Sequence, residues 1–293
     1  MVTPPKGTAV AFPGQGGDWR AALSVLRLHR DHPLVVDVVG RLGIAGTDDL
    51  DSLDGLDTRN AQPVIYVSGL VGPAPPPGGP VVAAIGHSLG EITAAAWSGA
   101  IALGTGLGLV EARAALGHAG DTLRPGAMAA VMRWGADEIE WLRRRVLAGS
   151  AGTLEVAVVN SPEQHVLSGD AALVDEAVAL ANEEGAVARR LPIGGAYHSP
   201  LMVPHLDAFR TRVAAAVTAP PSVPLVSSTS ARVVTGTDDL VDTIVRSLVL
   251  PVRWEATIAT AVGLGVHHAL DAGPGDTLVR LARFAPGLAF DPA

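Results

Sequence analysis

The chain of 293 residues has no cysteine. Disulfides, thiolate-bound metals and a cysteine nucleophile are excluded together. This fits a reducing compartment, and a cytoplasmic location is the expectation. Charged residues are scarce at 17%, while hydrophobic residues reach 48%. That is the composition of a globular chain with a substantial core. Basic charge is outweighed: the net charge of −8 makes the protein a poor nucleic-acid binder. The opening MVTPPKGTAVAFPGQ has one lysine and no long apolar run, so it does not read as a signal peptide. Two uncharged stretches bear on a membrane reading. Gln62–Gly90 is interrupted by Pro73, Pro75, Pro76, Pro77 and Pro80 and cannot be one helix. Ile92–Val110 nears spanning length, but it holds Thr93, Ser98, Thr105 and four glycines, with Glu91 and Glu111 at its ends. A buried helix plus a turn is expected there, and no membrane span.

What is abundant is glycine and proline, 34 and 22 residues, which call for many tight loops. Thr8–Phe12 reads as a buried strand running into the loop Pro13-Gly14-Gln15-Gly16-Gly17. Pro63–Val71 reads as helix, Pro73–Pro80 as a rigid loop and Val81–Ile85 as a buried strand, with helix resuming at Glu91. Buried apolar strands followed by helices predict an α/β fold with a parallel sheet. The middle differs. Strands at Ala127–Arg133, Glu155–Asn160, Gln164–Ser168 and Ala186–Pro192 alternate with helices at Asp137–Ala148 and Ala171–Glu184. The order βαββαβ is that of a ferredoxin-like unit. The expected organisation is a large α/β-hydrolase-like catalytic domain, residues 1–125 and 194–293, interrupted by a small ferredoxin-like domain at 126–193.

Gly86-His87-Ser88-Leu89-Gly90 matches G-x-S-x-G between a strand and a helix, the context of a nucleophile elbow. Ser88 would stand at the positive end of the following helix, with the Leu89 N–H free to bind an oxyanion. His87 is expected to point away from the site. The base is open on spacing alone. His198 follows two glycines just after the proposed insert, while His267 and His268 lie where an α/β-hydrolase keeps its histidine. A lipase or esterase using a late histidine is therefore an alternative. Two arginine clusters stand out, Arg143, Arg144 and Arg145, and Arg189 and Arg190. They read either as a solvated helix face and strand end or as a dock for an acidic partner.

Five segments together resemble the malonyl-CoA:acyl carrier protein transacylases, a family that includes polyketide synthase acyltransferase domains. They are FPGQG at Phe12–Gly16, GHSLGE at Gly86–Glu91, Arg113, GAYHSPLM at Gly195–Met202, and LPVRW with GPG at Leu250–Trp254 and Gly273–Gly275. Gln62-Pro63 and Asn160-Ser161-Pro162 add weaker likeness. The resemblance implies Ser88 as nucleophile and His198 as base, oriented by a backbone carbonyl near Ser247. It implies an oxyanion hole from the N–H groups of Gln15 and Leu89. Arg113 would clamp a free carboxylate through two parallel hydrogen bonds, which lysine cannot reproduce. Gln62, Asn160 and Tyr197 would line the acyl pocket, with Tyr197 crowding an α-methyl branch. The implied reaction is ping-pong transfer of a malonyl-type group from coenzyme A to the phosphopantetheine thiol of an acyl carrier protein, in fatty-acid or polyketide synthesis. It needs no metal and no bound cofactor; coenzyme A enters as the thioester substrate. The basic clusters would then dock the acidic carrier. Same-fold alternatives are a transferase acting between carrier proteins, or an acyl hydrolase.

Overall fold

In the computed structural model, residues 7–72, 80–282 and 288–292 are described. The expected rigid loop at 73–80 falls almost wholly outside them. The chain begins with strand β1 (Gly7–Phe12), helices α1 (Trp19–Leu28), α2 (Pro33–Arg41) and α3 (Thr58–Val71), then β2 (Val81–Gly86), α4 (Gly90–Trp97) and α5 (Leu103–Leu123). The apolar stretch after Glu91 is thus two helices around a turn. Among the described residues no helix is long and apolar enough to cross a membrane. Next come β3 (Gly126–Met132), α6 (Ala136–Leu147), β4 (Leu154–Ser161), β5 (Gln164–Asp170), α7 (Ala171–Glu183) and β6 (Val187–Arg190). The chain closes with α8 (Leu206–Ala216), β7 (Leu225–Val226), α9 (Thr237–Arg246), β8 (Val252–Arg253), α10 (Trp254–Gly263), β9 (Val266–Asp271), α11 (Thr277–Ala282) and β10 (Ala289–Pro292).

Two sheets form. The first has order β10-β9-β1-β2-β7 and every pairing in it is parallel. Its central strand is buried along its whole length, as a sheet covered on both faces requires. The second has order β6-β3-β5-β4-β8. Its first four strands pair antiparallel in the βαββαβ connection expected from the sequence. Its fifth, β8, comes from far along the chain and pairs parallel with β4, Val158 opposite Val252.

Alternation along β3 divides the second sheet between two cores. Ala127, Ala129 and Val131 face the cluster built by α6 and α7, with Ile139, Leu142, Val174 and Ala177. Met128 and Ala130 belong to the main core, with Val158 and Val166. Successive strand residues point to opposite faces, so small and apolar types in unbroken series serve both sides.

Helix α3 starts five residues before the expected Pro63. Asp57 sets that start, its carboxylate accepting from the Arg59 N–H at 2.8 Å. Packing at the elbow is tight. A Cβ on Gly90 would lie 2.0 Å from the Phe12 carbonyl oxygen, and one on Gly86 would lie 2.2 Å from the Gly90 backbone. Gly90→Ala is therefore expected to lower unfolding stability by about 3 kcal/mol or more. Gly40→Ala, in α2 with open space around it, should raise stability by about 0.5 kcal/mol. Urea unfolding of the two variants beside wild type checks both signs.

Candidate active site

Ser88 sits between β2 and α4 with φ +55°, and His198 has φ +60°. Both occupy the left-handed region that non-glycine residues seldom adopt, and such strain concentrates where function fixes the backbone. At Ser88 it is enforced by the glycines on either side and by the His87 N–H, which donates to the Phe12 carbonyl at 2.8 Å. At His198 the backbone N–H donates to the Leu248 carbonyl at 2.7 Å. The outcome is a contact of 2.7 Å between Ser88 Oγ and His198 Nε2.

The second imidazole nitrogen, Nδ1, lies 3.0 Å from the Leu250 carbonyl. That carbonyl belongs to the first residue of LPVRW, three positions beyond the expected Ser247. The chain turns sharply after α9, with Leu250 N–H bonded to Arg246 O, and this brings the Leu250 carbonyl over the ring. The Ser247 hydroxyl is spent locally on Ile244 O, and its backbone acts on the ring less than that of Leu250. Burial, helped by the nearby Arg113 charge, pushes His198 down to about 3. The ring is therefore neutral near pH 7 and can accept a proton.

Arg113 is 2% exposed. Its Nη2 donates to Ser88 Oγ at 3.2 Å and its Nη1 to Gln62 Oε1 at 2.9 Å. Its Cζ lies 4.3 Å from the centre of the Tyr197 ring. The Tyr197 hydroxyl donates to the Arg113 carbonyl at 3.1 Å and accepts from Gln62 Nε2 at 3.1 Å. Gly117 makes room for it, since a Cβ there would lie 2.1 Å from that hydroxyl. Arg113 Nε is buried with no hydrogen-bond partner, and among the described residues the guanidinium pairs with no carboxylate. Burial lowers its affinity for its proton. Glu91 lies close enough to oppose that effect but does not contact the guanidinium; a buried cation without a direct ion pair is costly, and an incoming anion relieves that cost.

These groups open on a cavity of 440 Å³ lined by Gly14, Gln15, His87, Ser88, Arg113, Tyr197 and His198 from one side and by Met128, Val158, Asn160 and Arg189 from the second sheet. The N–H groups of Gln15 and Leu89 have no backbone acceptor among the described residues. Asn160 occurs where the β4 register shifts between Val159 and Ser161, and a bulge of this kind re-aims a side chain. Its Oδ1 meets His87 Nε2 at 2.9 Å. His87 therefore faces the cavity, contrary to the expectation from sequence, because Trp254 packs against its ring edge-on and leaves it that direction. His267 and His268 are on β9 and do not line the cavity. His268 Nε2 instead pairs with Asp291 of β10 at 2.5 Å.

The basic clusters are unequal. Arg143 is held by Glu140, Glu155 and the Leu154 carbonyl, Arg144 by Glu140, and Arg190 by Asp175. Among the described residues Arg145 and Arg189 form no ion pair. Behind the elbow, Glu91 Oε1 accepts from the Ser228 N–H at 2.6 Å while Oε2 is buried without a partner.

Burial pushes Glu91 up to about 7 from an ordinary 4.5. The folded chain then holds a proton that the unfolded chain gives up. Its contribution to stability is full below about pH 4.5 and is lost as pH rises through about 7. His198 has the opposite sign: its contribution is full above about 6.5 and is lost as pH falls toward about 3. Glu91→Gln should therefore gain on wild type between pH 5 and pH 7.5, by at most about 1.4 kcal/mol per pH unit, in paired urea unfolding series.

A family model described as an acyl transferase domain matches residues 79–289. The polyketide synthase GfsA of Streptomyces halstedii is 37% identical over 207 residues, 70% of this chain and 3% of that protein. The malonyl CoA-acyl carrier protein transacylase of Bacillus subtilis is 32% identical over 199 residues, 68% of this chain and 62% of that protein. The matched region thus spans less than two thirds of either relative. The crystal structure of FabD from Acinetobacter baumannii superposes with a TM-score of 0.82 at 27% identity, covering 98% of this chain and 94% of that one. With the family model spanning most of its length, this chain belongs to the acyl transferase domain family.

Proposed function

We propose that the protein moves a malonyl-type group from coenzyme A to the phosphopantetheine thiol of an acyl carrier protein, through an ester on Ser88. One observation carries the reading: a buried arginine that forms no ion pair among the described residues lies 3.2 Å from a serine that is itself 2.7 Å from a neutral imidazole. A hydrolase acting on neutral acyl chains has no use for a cation there. Relatives named malonyl CoA-acyl carrier protein transacylase agree with it.

In the proposed mechanism His198 Nε2 takes the Ser88 proton as Oγ attacks the thioester carbonyl. The Leu250 carbonyl holds the opposite ring nitrogen as a donor, so Nε2 is the basic one. The N–H groups of Gln15 and Leu89 receive the oxyanion. Coenzyme A leaves as its thiol with the proton that His198 returns. The carrier thiol then attacks the Ser88 ester by the same steps in reverse order. Arg113 receives the free carboxylate, and the Tyr197 ring beneath the guanidinium narrows the space for an α-methyl branch. Gln62 and Asn160 complete the acyl pocket. Serine, imidazole and main-chain donors suffice for these steps, so no bound cofactor is invoked. The setting we propose is cytoplasmic. The division into a catalytic domain, 1–125 and 194–293, and a small domain, 126–193, is likewise our reading, and it places the acyl group between the two.

For the carrier dock, the ion pairs described above leave Arg145 and Arg189 as the free cations of the two clusters, and Arg189 lies at the cavity. Arg145→Glu should raise the carrier KM several-fold while leaving coenzyme A release in the first half-reaction unchanged, whereas Arg189→Glu, at the cavity, should affect both half-reactions. Steady-state kinetics with varied carrier, beside burst measurements without it, separate the two.

The main test is loading of purified protein, followed as a mass increase on Ser88. Malonyl-CoA should acylate wild type, and Ser88→Ala should abolish the adduct. Arg113→Ala should slow malonyl loading about a hundredfold or more and bring its rate close to that of acetyl-CoA. Equal loss with both thioesters would overturn the carboxylate role.

A further inference from the structure

Thr58 is the first residue of α3 and is 3% exposed. Threonine hydroxyls near a helix start are favoured at the N-cap, one position earlier. Here Asp57 already caps α3, and the Thr58 hydroxyl bonds only to residues distant in sequence. It accepts from Gln15 Nε2 at 2.9 Å and from the Gly194 N–H at 3.1 Å, and it donates to the Gly194 carbonyl at 3.4 Å. One oxygen therefore joins the loop that carries Gln15 to the segment that carries His198, four residues after Gly194.

Both partners are poised to transmit a displacement. The Gln15 amide is held at its other end by Gln62, whose Nε2 donates to Gln15 Oε1 at 3.0 Å. Gln62 Oε1 in turn accepts from Arg113. With both ends of the amide fixed, the Gln15 backbone has little freedom to turn its N–H away from the cavity. On the other side Gly195 has φ +90°, and a Cβ there would lie 2.9 Å from Gly117. Gly195 is thus packed closely against Gly117, and His198 is tied by its N–H to the Leu248 carbonyl.

We propose that Thr58 is a positioning residue, setting the oxyanion donor Gln15 relative to the base His198. The inference rests on the roles proposed above for those two residues. It predicts an effect on turnover and not on binding, because no atom of Thr58 lines the cavity.

Thr58→Val removes the hydroxyl and keeps the branched shape. Outright loss of an oxyanion donor costs roughly 10²- to 10³-fold, so misplacement of one should lower kcat about tenfold. The KM for malonyl-CoA should stay within about twofold, and Thr58→Ser should restore the rate to within about threefold. Gln15→Met cuts that hydrogen bond and the one from Gln62 while keeping the backbone N–H. Its loss should be at least as large, and the double variant should be no slower than Gln15→Met alone, since coupled residues do not add. Each variant is also assayed with a fluorophosphonate, where Ser88 Oγ bonds to phosphorus, fluoride leaves and His198 takes the proton. Wild type that reacts with this probe but not with malonyl-CoA would sink the substrate reading, while the probe rates still test Thr58. A Thr58→Val enzyme within twofold of wild type, or losses that multiply in the double variant, would overturn the proposal. If Thr58→Val does not fold, the Thr58→Ser and Gln15→Met rates decide: a Gln15→Met rate equal to wild type overturns it.

Discussion

The α-carbon of Gly90 rests against the carbonyl of Phe12, and much of the site's geometry follows from that contact. Phe12 ends the central parallel strand and leads into the loop carrying Gln15. Gly90 begins the helix behind Ser88. Pressing one against the other makes two neighbouring strand ends release their loops side by side. Ligands commonly bind beyond the carboxyl ends of parallel strands in folds of this kind. Here the two glycines of the elbow, Gly86 and Gly90, set the separation, and the left-handed backbone of Ser88 is its local consequence.

Burial then decides the electrostatics. His198 and Arg113 are both almost wholly enclosed, and each is disfavoured in its charged form. The two respond differently because their ordinary affinities for a proton differ so widely. The imidazole becomes neutral, while the guanidinium stays a cation that forms no ion pair among the described residues. One enclosed space can thus hold a base and an unmatched positive charge within reach of a single hydroxyl.

The parts of this arrangement readable in sequence were those written in side-chain type and local order. The elbow is legible because Gly86 and Gly90 flank Ser88 between an apolar strand and a helix. The βαββαβ unit is legible because small and apolar residues run through β3, β4 and β5. The choice of His198 over His267 or His268 needed the family likeness, as chain position alone favours none. Leu250 was beyond reach, since any residue offers a carbonyl and only the turn after α9 decides which one faces the ring. The direction of His87 depends on Trp254 and on the bulge at Asn160, contacts made across more than seventy residues. Short strands such as β7 and β8, two residues each, carry too little pattern to announce themselves. Thr58 gave no signal, because the partners of its hydroxyl lie 43 and 136 residues away.

The pairing of β8 with β4 carries a mechanical consequence. The strand next to Trp254 is stitched into the second sheet, and two residues earlier the same stretch supplies the carbonyl that steadies His198. Swinging the second sheet outward would tug on that carbonyl and unsettle the imidazole. Movement of that sheet and orientation of the ring are accordingly one coupled motion, tied through a stretch of backbone two residues long.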